Sequence, residues 1–421
     1  MSKYLAIFED SNFADFYPLT LSRPVWGLRF GIGTLAERII RNFSAYKPLL
    51  FCRREVAFAS AEFGPTNPEW PKDCEELLLI NGSLLWPEKV KKAVASSPSC
   101  LKNDDSIISA RLSTGWEKIK LSPFDPESVN KAIKGTKEEQ ADKLTAGYLW
   151  DLIASNPQAI FEDFQQLTAG RDHKKMFKEV QIDNQAVIHR FELVSLSPGC
   201  ELDCFTVLDA RRGPIYLDEN VKVQAFSRIE GPAYIGPNSQ VLRANIRGGC
   251  SIGPGCRIGG EIEETIIQGW TNKYHSGFIG HSYLGEWINF GAMTTNSDLK
   301  NDYGLVKIIK GGKEFSTNQA KVGSFIADHV KTGIGTLLNT GIQIGFSANL
   351  YGGALFEKKL IPSFAWGTPQ RMVPYRVDKA VEVARKVKSR RQQELSGEEE
   401  KLFRSIYEKT EKERGEFLGQ F

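Results

Sequence analysis

A period of six residues runs through the second half of this 421-residue chain and leaves it few possible folds. Leu217, Val223, Ile229, Ile235 and Val241 are spaced by six, and after a one-residue slip the series resumes at Ile246, Ile252 and Ile258. Small residues follow several of them, as in Ile235-Gly236, Ile252-Gly253 and Ile258-Gly259. The pattern returns at Val322-Gly323 and Ile334-Gly335, with Asp328 and Thr340 at in-phase positions. Six is neither the 3.6 of a helix nor the 2 of a strand; it is the mark of a parallel β-helix. Each short strand then turns one aliphatic side chain inward, and glycine lets the chain take the corner. A glycine-rich β-sandwich with chance spacing is the alternative, and eight aliphatic residues in register weigh against it. Such a solenoid has open ends that need covering.

The length exceeds what one core normally holds, so two domains with appendages are expected. Residues 1–165 mix the two ordinary periods: Tyr4 to Phe8 reads as a buried strand, Gly33 to Phe43 as a helix, and Glu76 to Ile80 as a second strand. Ile107 to Leu112 offers a third strand and Leu144 to Asn156 an amphipathic helix. Strands alternating with helices predict an α/β domain with a largely parallel sheet, placed to cap one end of the solenoid. Residues 166–205 form a connector whose strands begin the next domain, 206–355 the β-helix, and 356–421 a tail. From about residue 374 the tail is rich in Lys, Arg, Glu and Gln and predicts one or two solvated helices broken near Ser396-Gly397. Packing on the solenoid or on a neighbouring subunit is its expected use.

The balance of 54 basic and 51 acidic residues argues against a nucleic-acid partner. The seven cysteines form no CxxC pair and read as reduced thiols. No apolar stretch approaches membrane-spanning length, so a cytoplasmic protein with no membrane contact is expected.

Within the period-six region lies a segment that breaks the rule against long polar side chains, Lys273 to Asn296, with Lys273, His275 and His281 close together. A histidine titrating near neutral pH is suited to proton transfer. The segment from Glu261 to Gly291 resembles the acyltransferase half of the N-acetylglucosamine-1-phosphate uridylyltransferase/glucosamine-1-phosphate acetyltransferase family and its archaeal relatives. As a whole the chain is similar to the shorter sugar nucleotidyltransferase branch of that family. The resemblance implies a nucleotidyltransferase domain joined to a left-handed β-helix, usually in a homotrimer, with acetyl-CoA as co-substrate. In the family a catalytic histidine precedes a Gly-Ala-Gly-Thr element by sixteen residues, and here His275 precedes Gly291 of Gly-Ala-Met-Thr by the same interval. Gly280, Gly285 and Asn289 also fall on the pattern, whereas His281 stands where relatives carry aspartate. By the same resemblance Ser324 and Asn296 are candidate acyl-CoA contacts, although the Gly291–Asn296 spacing is two residues short. The family's phosphate-holding lysines are replaced by Glu263 and Asn272, with Lys273 beside the latter as a candidate substrate contact in reach of a phosphate, so another amino sugar or a nucleotide sugar is expected in place of glucosamine 1-phosphate. Structural roles for both histidines, or a zinc site with His329 as third ligand, are the competing readings; the latter is disfavoured because the two histidines fall on successive faces.

In sugar nucleotidyltransferases the first strand leads into a Gly-rich phosphate loop followed by a lysine. Here the stretch Ala6 to Pro24 lacks those glycines, and Leu19 stands at the lysine position. Arg23 and Arg29 are candidate phosphate ligands in their place. Relatives end the central strand in a Mg²⁺-binding Gly-Asp; this chain ends it in Asn81-Gly82-Ser83, a candidate nucleotide contact that anchors Mg²⁺ weakly. Asp104 and Asp105 read as a solvated turn. The expected function is therefore acetyl transfer to a sugar phosphate or nucleotide sugar, with an atypical nucleotidyltransferase domain attached. Two alternatives stand beside it: a non-catalytic nucleotide-sugar-binding regulator, and an active nucleotidyltransferase with the β-helix as oligomerisation scaffold.

Overall fold

The chain folds into two compact units, Met1–Leu28 with Gly33–Leu152, and Arg29–Ile32 with Ile153–Phe421. A computed structural model describes residues 2–419 apart from 61, 95–98, 104–105, 142 and 171–179. Asp104 and Asp105 thus lie outside the described residues.

The first unit is a six-stranded sheet in the order Lys47–Phe51, Ser2–Phe8, Cys74–Asn81, Ser106–Leu112, Ser99–Asn103, Lys137–Gln140. The first three strands are parallel. Leu5 to Phe8 and Leu77 to Ile80 are wholly buried, the unbroken apolar runs of strands covered on both faces. Ser106–Leu112 runs antiparallel to both its neighbours, so the sheet is mixed rather than largely parallel. The cause is local: two residues separate Ser99–Asn103 from Ser106–Leu112, far too few for a parallel crossover. The first helix spans Leu35–Asn42 behind a capping box of Thr34 and Glu37. The long helix runs Leu149–Thr168, starting later and ending later than the amphipathic pattern implies.

The second unit is a parallel β-helix. Leu217 pairs with Ile235, Ile235 with Ile252 and Ile252 with Ile267, so three hexads close one coil and stack like residues on like. One of its faces is a nine-stranded parallel ladder from Val194–Leu196 to Leu360–Ile361. The coil strands begin at Gln181 and continue to Thr368. A second inward column reads Leu208, Ile229, Ile246, Ile262, Ile279, and a third reads Val223, Val241, Ile258. Every one of these side chains is at most 1% exposed.

The charged tail forms three helices, Val377–Ser389, Gly397–Lys409 and Glu411–Leu418, the break being a Ser396/Glu399 capping box. It packs on the solenoid. Phe403 sits 4.8 Å from the His329 ring and 4.7 Å from that of Phe346, at a coil corner where Trp270 and Trp287 also stack. Lys388 lies 5.3 Å over the Trp287 ring. No helix among the described residues is long and apolar enough to cross a membrane.

Phe403 is 2% exposed, so Phe403→Ala opens a cavity under the tail and should cost about 3 kcal/mol in denaturant unfolding, with the last helices becoming protease-sensitive first. A loss below about 1 kcal/mol would mean that the tail is not docked by this ring.

Candidate functional site

Apolar side chains fill the interior of the coil, and at Lys273 one such place goes to an amine. Lys273 pairs with Ile258 in the third inward column and is 2% exposed. Its Nζ donates to the carbonyl of Gly259 in the coil before, at 2.9 Å, and to that of His275 in its own, at 3.0 Å. Burial lowers its pKa to about 8.

The corner that follows this column changes length from coil to coil. Four residues separate Val223 from Arg228, three separate their partners Val241 and Asn245, and two, Gly259 and Gly260, separate Ile258 from Glu261. The next coil restores four, Tyr274 to Gly277, between Lys273 and Phe278. Two successive corners are cut back, then the chain steps out again. His275 stands on the lip of the resulting notch, exposed, its ring 5.0 Å from that of Tyr274.

His281, six residues on, is placed otherwise. It is 6% exposed and in left-handed backbone (φ 46°) at a different corner. Its Nδ1 meets Asp298 Oδ2 at 2.7 Å and its Nε2 meets Glu264 Oε2 at 3.3 Å. Burial alone would lower its pKa, but hydrogen bonds to Asp298 and Glu264 and their charges raise it to about 9. His281 is thus an imidazolium clamped between two carboxylates. It is not a base near neutrality.

Asn296 and Ser324, the candidate acyl-CoA contacts, are inside the coil. Asn296 Oδ1 accepts from the Gly280 N–H at 2.9 Å and its Nδ2 donates to the Gly280 carbonyl at 3.1 Å. Ser324 is wholly buried; its N–H donates to Ser282 Oγ at 2.8 Å. Both carry side chains turned from solvent because they occupy inward registers, Asn296 opposite Leu338 and Ser324 opposite Ile342. Lys273 differs from expectation for the same reason: its head is spent on coil carbonyls instead of reaching a phosphate. Glu263 is paired with Arg247 at 2.9 Å, and Asn272 donates to Asn289 at 2.7 Å.

In the first unit the parallel strands bring their carboxyl ends together, a usual place for ligands in open α/β sheets. There Asn81 Nδ2 donates to Asp10 Oδ2 at 2.9 Å, while Asn81 Oδ1 accepts from Ser83 N–H at 2.9 Å and Ser83 Oγ at 2.8 Å. Burial raises the Asp10 pKa, against the opposing hydrogen bond from Asn81. Beside them Arg53 Nε meets the buried Glu9 Oε2 at 2.8 Å, and Arg53 Nη2 donates to the carbonyls of Thr20 (2.8 Å) and Arg23 (3.2 Å). Glu9 Oε1 accepts from the Val25 N–H at 3.0 Å. The Thr20–Val25 loop is thereby fastened down by its own chain. Arg23 is itself buried, and Gly82 lies so close to Trp26 that an added Cβ would come within 2.6 Å of its ring.

Arg29 departs furthest from expectation. It belongs to the second unit, where Nε donates to the Gln268 carbonyl at 3.2 Å and the guanidinium lies 5.5 Å from the Tyr234 ring centre. Sequence reasoning does not reach Glu9, Asp10 and Arg53, which only strand pairing brings together. It also misses Asp298, although that residue follows His281 by 17, about one coil.

Among the described residues no group of three or more His, Cys, Asp and Glu side chains is arranged to hold a metal ion. At the strand ends, Asp10 already receives N–H donors from Asn12 and Asn81, and Asn81 turns its amide nitrogen toward that carboxylate. As arranged, this pair does not fit Mg²⁺, which wants oxygen ligands.

Residues 5–172 match the family model for sugar nucleotidyl transferases. The bifunctional sugar-1-phosphate nucleotidylyltransferase/acetyltransferase of Sulfurisphaera tokodaii is 36% identical over 98 residues, 23% of this chain and 24% of that protein. The bifunctional protein GlmU of Methanococcus vannielii is 33% identical over 132 residues, 31% of this chain and 29% of that one. GlmU of a Synechococcus is 24% identical over 351 residues, 67% of this chain and 73% of that one. The first two matches thus span less than a third of the relatives' own length.

The His281 clamp carries a pH test. A folded-state pKa near 9, above the unfolded 6.5, makes its stabilisation full below pH 6.5 and lost as pH rises through 9. His281→Asn, which keeps a residue tolerant of left-handed backbone, should cost about 2 kcal/mol at low pH. That cost should shrink in alkaline unfolding titrations; an equal cost at both ends would contradict the clamp.

Proposed function

We propose that this member of the GlmU-like family transfers an acetyl group from acetyl-CoA to the amine of a sugar phosphate or nucleotide sugar, with His275 as general base. The observation that carries the reading is the exposed imidazole on the lip of a notch cut by two shortened coil corners. The sixteen-residue spacing to Gly291 supports it.

The chemistry follows from the groups present. The acceptor amine attacks the thioester carbonyl carbon while the His275 imidazole removes the proton that the new C–N bond makes acidic. The carbonyl oxygen becomes an oxyanion, for which main-chain N–H groups of the corner are suitable donors. Collapse re-forms the carbonyl, breaks the C–S bond and releases coenzyme A as thiolate, which takes the proton from the imidazolium. Glu263 and Asn272, standing where relatives hold phosphate with lysine, favour an acceptor other than glucosamine 1-phosphate.

The working unit is a cytoplasmic homotrimer. Phe226, Met293 and Ile334 lie in the same corner column as His275 and are 70%, 56% and 75% exposed, which favours a second copy covering this edge. For the first unit, the fastened Thr20–Val25 loop and the Asn81 amide favour nucleotide-sugar binding over nucleotidyl transfer. This second activity is separable: with a sugar 1-phosphate, a nucleoside triphosphate and Mg²⁺, the purified chain should release no pyrophosphate yet gain thermal stability from a nucleotide sugar. Steady pyrophosphate release would overturn that part.

His275→Ala should lower acetyl transfer by about 10²-fold or more, with melting temperature and sedimentation unchanged. Unaltered turnover in that variant would remove the assignment.

A further inference from the structure

A buried ammonium with no counter-ion needs a reason to be kept. Among the described residues Lys273 has no carboxylate partner, and its lowered pKa reflects burial alone. An aliphatic side chain would serve the fold: the position above is Ile258, and the neighbouring coil places the buried Phe290 below. Charging an unpaired amine there costs stability, and residues that break a local rule without a folding benefit mark functional places.

The geometry states what the amine does. Gly259 and Gly260 make the shortest corner of the series, and a Cβ on Gly260 would lie 2.7 Å from the Lys273 Nζ, so the ammonium fills the space that the cut-back corner leaves. From there it draws together the Gly259 carbonyl above and the carbonyl of His275 itself. The exposed His275 ring touches Tyr274, and the Lys273 ammonium holds the His275 peptide itself. We propose that Lys273 is the positioning residue of the notch, its ammonium fixing the main chain of the His275 corner and so aiming the imidazole. This rests on the acetyl-transfer reading. The hydrogen bonds are charge-assisted while the amine is protonated, and weaken as pH rises through its lowered pKa.

The test uses the full-length chain and three variants, Lys273→Met, Lys273→Gln and His275→Ala, assayed for acetyl transfer across pH with melting temperatures in parallel. Both Lys273 variants should fold, with melting temperature within about 5 °C of the parent. Their kcat should fall at least about tenfold while KM for acetyl-CoA stays within about twofold, the signature of lost alignment. The parent's kcat should decline on the alkaline side near pH 8, the lowered pKa of Lys273, and the Lys273→Met profile should lack that limb. Turnover near the parent's in Lys273→Met, with His275→Ala inactive, overturns the positioning role and leaves the acetyl-transfer reading standing. Parental turnover in His275→Ala overturns both. If both Lys273 variants unfold or lose more than about 10 °C, the lysine serves the fold and the inference fails.

Discussion

The space inside the coil is what the rest of the second unit depends on. Three short strands enclose a prism whose inward side chains are mostly isoleucine, valine and leucine, coil after coil. Close packing leaves no slack, so polar residues in inward registers turn to main-chain groups of their own and the neighbouring coil. Asn296 does so through Gly280, and Lys273 does so through Gly259 and His275. Both contact the stretch from His275 to Gly280, and that marks the stretch out as the candidate site.

The two histidines show how register decides chemistry. They are six residues apart, so they fall on successive corners, and the corners differ in what surrounds them. His281 is enclosed by Asp298 and Glu264 and held as a cation. His275 faces outward from a corner that juts past two shortened ones. One residue type thus yields an ion-pair keystone in one place and a candidate base in the other.

Much of this is legible in the amino-acid sequence alone. The six-residue period dictates the solenoid, and the one-residue slip at Val241 to Ile246 is the shortening of the notch corner seen from the sequence side. The strands Ser2–Phe8 and Cys74–Asn81 stand out by the apolar runs Tyr4 to Phe8 and Leu77 to Ile80 within them. Side-chain direction is not legible, because a motif match gives position along the chain and not whether the register points in or out. Lys273, Asn296 and Ser324 therefore read as ligand contacts by motif and are interior in the fold. Arg29 misleads for a different reason: its neighbours in sequence belong to the first unit, while the four residues Arg29–Ile32 belong to the second. The Glu9–Arg53 pair is invisible in the sequence because it joins the ends of separate parallel strands.

If the His275 corner receives the thioester end of an acyl carrier, that ring and not the clamped one should sense it. Imidazole resonances of the chain's five histidines, followed by NMR as coenzyme A is added, measure this directly. A saturable shift at His275 with His281 still is the expected outcome. A shift confined to other histidines, with His275 unmoved at saturation, would contradict the assignment of this corner.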